Sequence, residues 1–457
     1  MQKMKNGKKV LSVCLSLAMA AGMLSTSAFA SWNVYGGSNN HNAVVTEAPT
    51  RPDKSGLDSY IQLHCTGSGW DGVDNVPVLQ TVNGTTYAYV LYDGYGASGA
   101  LVAKIRCAEN GGSSIVWTTD PYGTEGTSLN AKSGFQLSTP YLDDKGTPDD
   151  ASDDTLYVGT ISQYDDYEGG EWLTGTGSKV MALTGLDQNK PTVTNVLTGI
   201  NGQINTPITT DGTYLYFGTW PGGSNAGTYY QVKLSDYSVK TFTPDSYGFY
   251  WAGAVSDGTN VYFGSDNGLL YWRSIADFDT TGGVLDLTDV ASDAGNVRST
   301  VMLDDGYLYF TTQGGYLWCC SYKDGLTVEW HIKLGATSTS TPTKVGDRIY
   351  VGYYSGFNAG GVQCVSADGS SVKTVVEGDG FPVQSSIVVM GDGTGTDYLY
   401  FNTNAQKGAG YCYSYDGTTG SQVWGTTGDT YALGGMAIDN GYAVFGNDYN
   451  HLYVVHD

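Results

Sequence analysis

The sequence predicts an all-β fold, namely an eight-bladed β-propeller of four-stranded antiparallel blades closed by the N-terminal strand. Three observations carry this prediction. The 457 residues include 65 glycines and 36 tyrosines, whereas only 15% of the residues are charged. One phrase recurs along the chain: a turn of Asp-Gly or Asn-Gly type followed by an apolar aromatic strand. Amphipathic stripes with a 3.6-residue period are absent, which excludes helical solenoids and coiled coils.

Residues 1–30 have the features of a secretory signal peptide. Four lysines precede an apolar run from Val10 to Leu24, and Ala28-Phe29-Ala30 supplies the small residues that signal peptidase requires. We therefore expect Ser31 to begin the mature protein, residues 31–457 to form the propeller, and the protein to be secreted to the cell exterior, where it could associate with the cell surface.

The net charge restricts the class of partner. The chain carries 45 acidic and 22 basic residues, a formal charge of −23. Removal of the four signal-peptide lysines would leave 18 bases against 45 acids, or −27. Nucleic acid is excluded as a partner because binding its phosphates needs clustered Lys and Arg. No other apolar run approaches the roughly 18 residues of a membrane span, so we expect no membrane-spanning segment in the mature protein. We also expect the protein to be a monomer.

The recurring strand predicts the number of blades. Its spacing runs from 41 residues, between Tyr309 and Tyr350, to 68 residues, between Tyr89 and Tyr157. The equivalent central positions of the eight copies are Tyr89, Tyr157, Tyr216, Tyr262, Tyr309, Tyr350, Tyr400 and Val444. Shorter strand-like segments flank each copy, as four-stranded blades require. Seven blades remain the alternative if the irregular first copy is not a complete blade.

The two ends of the mature chain predict how the ring closes. The chain ends in a third strand, with residues Leu452 to Val455, and lacks a fourth. An isolated segment, Trp32 to Tyr35, stands at the mature start. We expect these two segments to pair, because ring closure removes the exposed strand edges that promote aggregation.

Cysteines and histidines indicate no particular chemistry. The cysteines after residue 30 are Cys65, Cys107, Cys319, Cys320, Cys364 and Cys412. Their spacing matches no zinc pattern and at least four fall in predicted strands, so buried free thiols are the favoured interpretation. A disulfide between Cys319 and Cys320 is disfavoured because neighbours on a strand point to opposite faces. The five histidines show no metal-ligand spacing, and acidic pairs such as Asp153-Asp154 are interpreted as solvated loops.

Two segments resemble the PQQ-like repeat of quinoprotein alcohol dehydrogenase-like β-propellers. The match is best at CYSYDGTTGSQVW, from Cys412 to Trp424, and weaker at LWCCSYKDGLTVEW, from Leu317 to Trp330. The resemblance implies the propeller fold over residues 31–457. Enzymes of that family hold PQQ and calcium in the channel, yet no catalytic or metal-binding residue can be transferred to this sequence. We therefore expect no cofactor, no metal and no catalytic residue.

The predicted function is that of a non-catalytic binding or protein-interaction module. The first alternative is a PQQ- and calcium-dependent dehydrogenase, which the resemblance implies. The second is an assembly scaffold that resembles the outer-membrane assembly propeller.

The loops predict which face of the propeller binds a ligand. On one face, short turns such as Asp211-Gly212 and Asp257-Gly258 have the geometry of tight hairpins and little else. On the other face, long aromatic loops converge with the segments that lead into the innermost strands. Aromatic and amide groups of this kind suit a glycan, a peptide or a protein partner. The candidate ligand-binding residues are Trp70, Gln136, Trp172, Gln203, Tyr250, Trp251, Arg298 and Gln384.

Overall fold

The repeated aromatic phrase forms the second strand of each sheet in the computed structural model of the chain. The structure describes residues 31–67, 71–122, 126–161, 164–168, 171–174 and 177–457, with the backbone alone for 164–168 and 171–174. The predicted signal peptide and Trp70 lie outside the described residues. Within these ranges the chain forms eight four-stranded antiparallel blades. The eight-bladed propeller predicted from the sequence is therefore confirmed.

Blades 1 to 4 follow one another along the chain, each running from an innermost strand outwards. In blade 3 the innermost strand is split into two short segments, and in blade 2 the hairpin Tyr164–Glu168 and Glu171–Thr174 is inserted after the second strand. The strands are, for blade 1, Val78–Val82, Thr85–Asp93, Ala100–Arg106 and Ser114–Thr118; for blade 2, Tyr141–Asp143, Thr155–Gly159, Ser178–Thr184 and Thr192–Ile200; for blade 3, Gln203–Ile204 with Thr209–Thr210, Tyr214–Trp220, Tyr229–Lys233 and Val239–Phe242; and for blade 4, Val255–Ser256, Asn260–Gly264, Leu269–Ser274 and Gly282–Asp286.

Blades 5 to 8 continue the pattern, and the last blade takes its outermost strand from the N-terminal part of the chain. The strands are, for blade 5, Met302–Asp304, Tyr307–Thr312, Tyr316–Ser321 and Thr327–Lys333; for blade 6, Thr343–Val345, Arg348–Ser355, Ala359–Ser366 and Val372–Asp379; for blade 7, Val388–Met390, Asp397–Asn402, Gly410–Tyr415 and Gly420–Gly425, with Val44–Val45 parallel to the first of these; and for blade 8, Ala437–Asp439, Tyr442–Gly446, His451–Val455 and Ile61–Gln62.

Helical structure is confined to single turns in the part of the chain that the structure describes. These turns are Tyr35–Gly37, Lys54–Leu57, Gly96–Ser98 and Leu287–Asp289. No helix among the described residues is long and apolar enough to cross a membrane.

The core lies between neighbouring blades, where side chains of adjacent sheets interdigitate. Cys319 packs in the cluster between blades 5 and 6, and Cys320 packs in the cluster between blades 4 and 5. The two side chains therefore point to opposite faces of one strand, as the alternation of a β-strand requires. All six cysteines after residue 30 are free, and five of them are buried, which confirms the predicted buried thiols.

The strand that closes the ring is not the one that the sequence analysis proposed. Ile61 and Gln62 pair antiparallel with Leu452 and His451 and complete blade 8. The prediction that residues 32–35 pair with residues 452–455 is wrong. A strand of two residues carries too short a hydrophobic pattern to be recognised in the sequence. The apolar segment at Trp32 is buried because it contacts the innermost strands of the blades.

Residues 32–45, which we call the channel segment, run along the innermost strands of blades on opposite sides of the ring. The carbonyl oxygen of Trp32 accepts a hydrogen bond from Leu79 N of blade 1 (2.8 Å). That of Asn40 accepts one from Leu303 N of blade 5 (2.9 Å). A segment that touches both blades must cross the channel, since innermost strands surround it.

Further contacts of the channel segment reach blades 2, 4, 6 and 7. They are Leu142 N to Asn33 O (2.8 Å), His41 Nε2 with Ala254 O (2.9 Å), Lys344 N to Asn42 Oδ1 (2.8 Å) and Val389 N to Ala43 O (2.9 Å). The protein's own chain therefore crosses the channel and contacts six of the eight blades.

Candidate functional site

A pocket of about 480 Å³ lies at the mouth of the channel. Its walls come from two sets of loops, those that lead into the innermost strands and those that follow the second strands. The aromatic residues that line it are Phe135, Tyr250, Trp251, Tyr354, Phe357 and Tyr431. The face predicted from loop length and aromatic content is thus the face on which the structure places this pocket, which we call the mouth pocket.

The channel segment contributes to the floor beneath the mouth pocket. A smaller cavity of about 50 Å³ shares Asp74, Trp251, Arg298 and Gln384 with the mouth pocket and is lined in addition by Tyr35. The Tyr35 hydroxyl lies 3.0 Å from Thr341 Oγ1 of blade 6. A ligand entering at the mouth would therefore meet a fixed floor.

An aromatic ridge forms one side of the mouth pocket. Trp220, Tyr250 and Trp251 make successive edge-to-face contacts, with ring centroids 5.3 Å and 4.9 Å apart. The Arg298 guanidinium lies 4.4 Å from the centre of the Tyr250 ring. Arg298 also donates two hydrogen bonds to the Asp266 carboxylate, at 2.7 and 2.5 Å. These contacts hold the ridge rigid and neutralise the charge of Arg298.

A second pocket of about 510 Å³ lies on the other side of the ridge. Trp220, Tyr247, Asp266 and Arg298 line it together with residues of blade 4 and of the segment that enters blade 5. Its lining is more polar than that of the mouth pocket, because small and amide residues replace the aromatic rings. Arg298 lines both pockets, so the two cavities adjoin at the ridge.

Trp251 has an unusual backbone conformation at the edge of the mouth pocket. Its φ of +57° lies in the left-handed region, which is rare for a bulky residue. The Trp251 carbonyl oxygen accepts hydrogen bonds from Gly253 N (2.8 Å) and Thr300 Oγ1 (3.1 Å), which hold the backbone in this conformation. Strain of this kind concentrates at binding and catalytic sites.

Four aspartates lie close together between blades 8 and 1, beside the mouth pocket. Burial raises the pKa of Asp71 to about 6 and the pKa of Asp93 to about 7. Burial, with the neighbouring Asp448 carboxylate second, raises the pKa of Asp74 well above its usual value. Burial likewise raises the pKa of Asp448. Asp74 and Asp448 line the mouth pocket itself.

Sequence reasoning missed these four acids. Asp448 lies far along the chain from Asp71, Asp74 and Asp93. It becomes their neighbour only because the ring closes and brings blade 8 beside blade 1. The signal that could have found them is the placement of acids directly before an innermost strand and directly after a second strand in neighbouring blades.

The structure brings half of the predicted site residues together. Tyr250, Trp251, Arg298 and Gln384 line the mouth pocket. Gln136 and Gln203 are not among the residues that line it. They are 1% exposed, and Gln203 Oε1 accepts a hydrogen bond from Asn205.

The two remaining predicted residues cannot be placed at the pocket. Trp70 lies outside the described residues, and Trp172 belongs to the hairpin Glu171–Thr174, of which the backbone alone is described.

The acidic pair Asp153-Asp154 is only partly solvated, contrary to the prediction of a solvated loop. Asp154 is only 1% exposed, and its Oδ2 accepts a hydrogen bond from Gln80 Nε2 at 2.6 Å. It lies just before the second strand of blade 2, at the end of the sheet opposite to the mouth pocket. Asp153, beside it, is exposed as expected.

Comparison with known proteins identifies the fold. No protein-family profile and no curated protein matches the sequence. BamB from Moraxella catarrhalis is similar in structure with a TM-score of 0.53 at 14% identity, over 88% of this chain and 97% of BamB. Sqt1 from Saccharomyces cerevisiae gives 0.55 at 11% identity, over 89% and 99%. A europium-containing methanol dehydrogenase gives 0.56 at 12% identity, over 93% and 89%. The chain is a β-propeller. At these identities the likeness shows the fold alone.

The mouth of this propeller does not fit PQQ with calcium, the cofactor pair that the repeat resemblance implied. PQQ carries carboxylates, so a site for it needs positively charged donors. Among the described residues that line the mouth pocket, Arg298 is the only cation, and Asp266 already occupies it. No group of three or more His, Cys, Asp or Glu side chains in the described ranges is arranged to hold a metal ion.

Proposed function

We propose that this chain is a secreted, non-catalytic β-propeller of the PQQ-like repeat type that binds a glycan, a peptide or a protein segment at the mouth pocket. The observation that carries the proposal is the pocket itself: a cavity of about 480 Å³ lined by six aromatic rings and closed below by the channel segment. Cavities of this size with a few polar groups among aromatic rings are typical of ligand sites.

Two features of the pocket support binding rather than a purely structural role. Phe357 is 57% exposed at the rim and contacts Tyr431 edge-to-face at 5.6 Å. Trp251 keeps a strained backbone although a glycine would adopt the same conformation freely. Stability alone favours neither an exposed Phe nor a strained Trp, whereas stacking on a ligand requires large rings at these positions.

A scaffold role for the same face is the second form of the proposal, and it rests on the two adjoining pockets rather than on the likeness to other propellers. BamB and Sqt1 share the fold over nearly their whole lengths. The pocket and its neighbour across the aromatic ridge would together receive an extended segment of a partner, with side chains inserted on either side of Arg298.

The proposal is tested by screening glycan and peptide arrays with the wild type and with Trp251→Ala. Stacking of a ligand on one aromatic ring contributes about 0.5–1.5 kcal/mol beyond area burial, so Trp251→Ala should weaken binding several-fold. Trp272→Ala is the matched control, because Trp272 is also partly buried but lies on the third strand of blade 4, away from the pocket. Equal binding by wild type and Trp251→Ala, with Trp272→Ala also unchanged, would contradict the proposal.

A further inference from the structure

The inner wall of the mouth pocket and the smaller cavity that adjoins it present hydrogen-bond acceptors that no N–H or hydroxyl group satisfies. Asp74 is 3% exposed, and neither of its carboxylate oxygens receives a hydrogen bond from an N–H or hydroxyl group. Its side-chain partner is the Asp448 carboxyl, with which it can share a proton but which supplies no positive charge. The Asn75 amide nitrogen donates to Leu91 O (2.8 Å) and Gln136 O (2.6 Å), which leaves Asn75 Oδ1 buried and unpartnered. Buried acceptors without donors are unfavourable, and a buried carboxylate especially so, unless a ligand supplies what is missing.

Aromatic rings line the same pocket. Trp251, Phe357 and Tyr431 line the cavity that Asp74 and Asp448 also line. A positive charge is attracted both to a carboxylate and to the face of an aromatic ring, and pockets that combine the two features bind ammonium groups. A neutral ligand would satisfy the rings but would leave the buried charge uncompensated.

Among the described residues that line the pocket, no Lys or Arg side chain is free to pair with Asp74. Arg298 is the charged neighbour on the far wall, and its guanidinium is bonded to Asp266 through two nitrogens. The net charge of −23 over the whole chain adds a field that attracts cations to the molecule.

We infer that the mouth pocket binds an alkylammonium group, the side chain of a lysine in a peptide or a small free amine, with the charge against Asp74 and Asp448 and the alkyl carbons against Trp251. The inference rests on the proposed function, since it names the chemical class of ligand for the same pocket. A metal ion is a poorer match, because no three carboxylate, His or Cys side chains in the described ranges are arranged to ligate one.

The affinity should depend on pH in a defined direction. The groups that face Asp74 are Asp71, Asp93, Asp448, Tyr95, Tyr250 and Arg298. Because burial raises the pKa of the four carboxyls, they are largely protonated in the empty pocket at low pH and cannot pair with a cation. An amine keeps its charge up to about pH 10. Affinity should therefore rise between about pH 5 and about pH 8.

Calorimetric titrations with matched probes test the inference. The probes are the N-terminally acetylated peptide Gly-Gly-Lys-Gly-Gly, the same N-terminally acetylated peptide with acetyl-lysine, and free butylamine, so that the lysine side chain is the only ammonium group of the first peptide. The wild type should bind the lysine peptide or the free amine and should not bind the acetylated peptide. Asp74→Asn should weaken binding roughly tenfold or more, since it removes one partner of a buried charge pair. Asp154→Asn is the matched control, because Asp154 is as deeply buried and also has a raised pKa but lies far from the mouth.

The outcomes separate this inference from the proposed function. Binding of butylamine alone assigns a small ligand and binding of the lysine peptide alone assigns a peptide, and either result supports an ammonium site. Equal binding of lysine and acetyl-lysine peptides, or no change in Asp74→Asn, would overturn the ammonium inference and leave the pocket as a binding site. Saturable binding of calcium without any binding of amines would also overturn it. If none of these probes and no array ligand binds, both proposals fail.

Discussion

In blades 3 and 4, a single aspartate holds the turn that precedes the second strand. Asp257 Oδ1 accepts hydrogen bonds from Thr259 N and Asn260 N, both at 2.7 Å, and Oδ2 accepts one from the Tyr262 hydroxyl at 2.7 Å. Gly258, with φ +85°, makes the tight turn possible. Asp211 and Tyr216 repeat this arrangement in blade 3. The turn aspartate and the repeat tyrosine, five residues apart, thus form one unit.

Replacing Asp257 with Ala should lower the free energy of unfolding by about 1–3 kcal/mol, because the buried Tyr262 hydroxyl and two backbone N–H groups lose their acceptor. Asp324→Ala, at an exposed turn in blade 5, is the control and should change stability by less than about 0.5 kcal/mol. Denaturant unfolding followed by tyrosine and tryptophan fluorescence measures both. A destabilisation of equal size in the two variants would show that the turn aspartate carries no special role.

Residue-level chemistry at the mouth was only partly predictable from the sequence. Tyr250, Trp251 and Arg298 were identifiable because aromatic residues and arginine stand out in loops on a predicted face. The surroundings of Asp74 were not predictable, since its neighbour Asp448 lies more than 350 positions away in the chain. Amides such as Gln203 resemble ligand-binding residues in sequence, but the fold uses this one inside a sheet.

At the scale of elements, the eight second strands were predictable and the closing strand was not. Each second strand carries a strong alternating pattern with a turn signal before it, so its position is fixed locally. The closing strand Ile61–Gln62 is two residues long and is held by its surroundings instead. Leu63 N donates to Asn450 O at 2.9 Å, and the ring of Tyr60 stacks on His451 at 3.7 Å.

Replacing Ile61 with Pro should lower the melting temperature by several degrees and promote self-association. Leu63 N donates to Asn450 O, so Ile61, two residues earlier, is the hydrogen-bonded partner of Leu452, and proline removes its backbone donor and exposes the edge of blade 8. Ile61→Ala is the matched control, since it also shortens the side chain but the backbone can still pair. Thermal unfolding and size-exclusion chromatography compare the two variants. Identical melting and elution of Ile61→Pro and Ile61→Ala would show that this strand does not close the ring.

On the scale of the whole molecule, the two ends of the channel differ in what they offer a ligand. The channel segment crosses the interior, and its Tyr35 lines the small cavity that adjoins the mouth pocket. In the tight turns of the opposite face, polar side chains such as Asp257 are hydrogen-bonded within the turn itself. The long loops of the mouth face instead leave exposed rings and unpartnered acceptors around one cavity. This asymmetry is the basis for assigning function to the mouth.

Blocking the mouth with a bulky group tests this assignment most directly. In a Cys65→Ser background, which leaves only buried cysteines after residue 30, Phe357→Cys would be coupled to a polyethylene glycol maleimide. Val284→Cys is the control, because Val284 is 52% exposed on the outermost strand of blade 4 and Phe357 is 57% exposed at the pocket rim. Binding to the glycan and peptide arrays should disappear for the protein labelled at position 357 and persist for the protein labelled at position 284. Undiminished binding after labelling at position 357 would place the binding site elsewhere on the propeller.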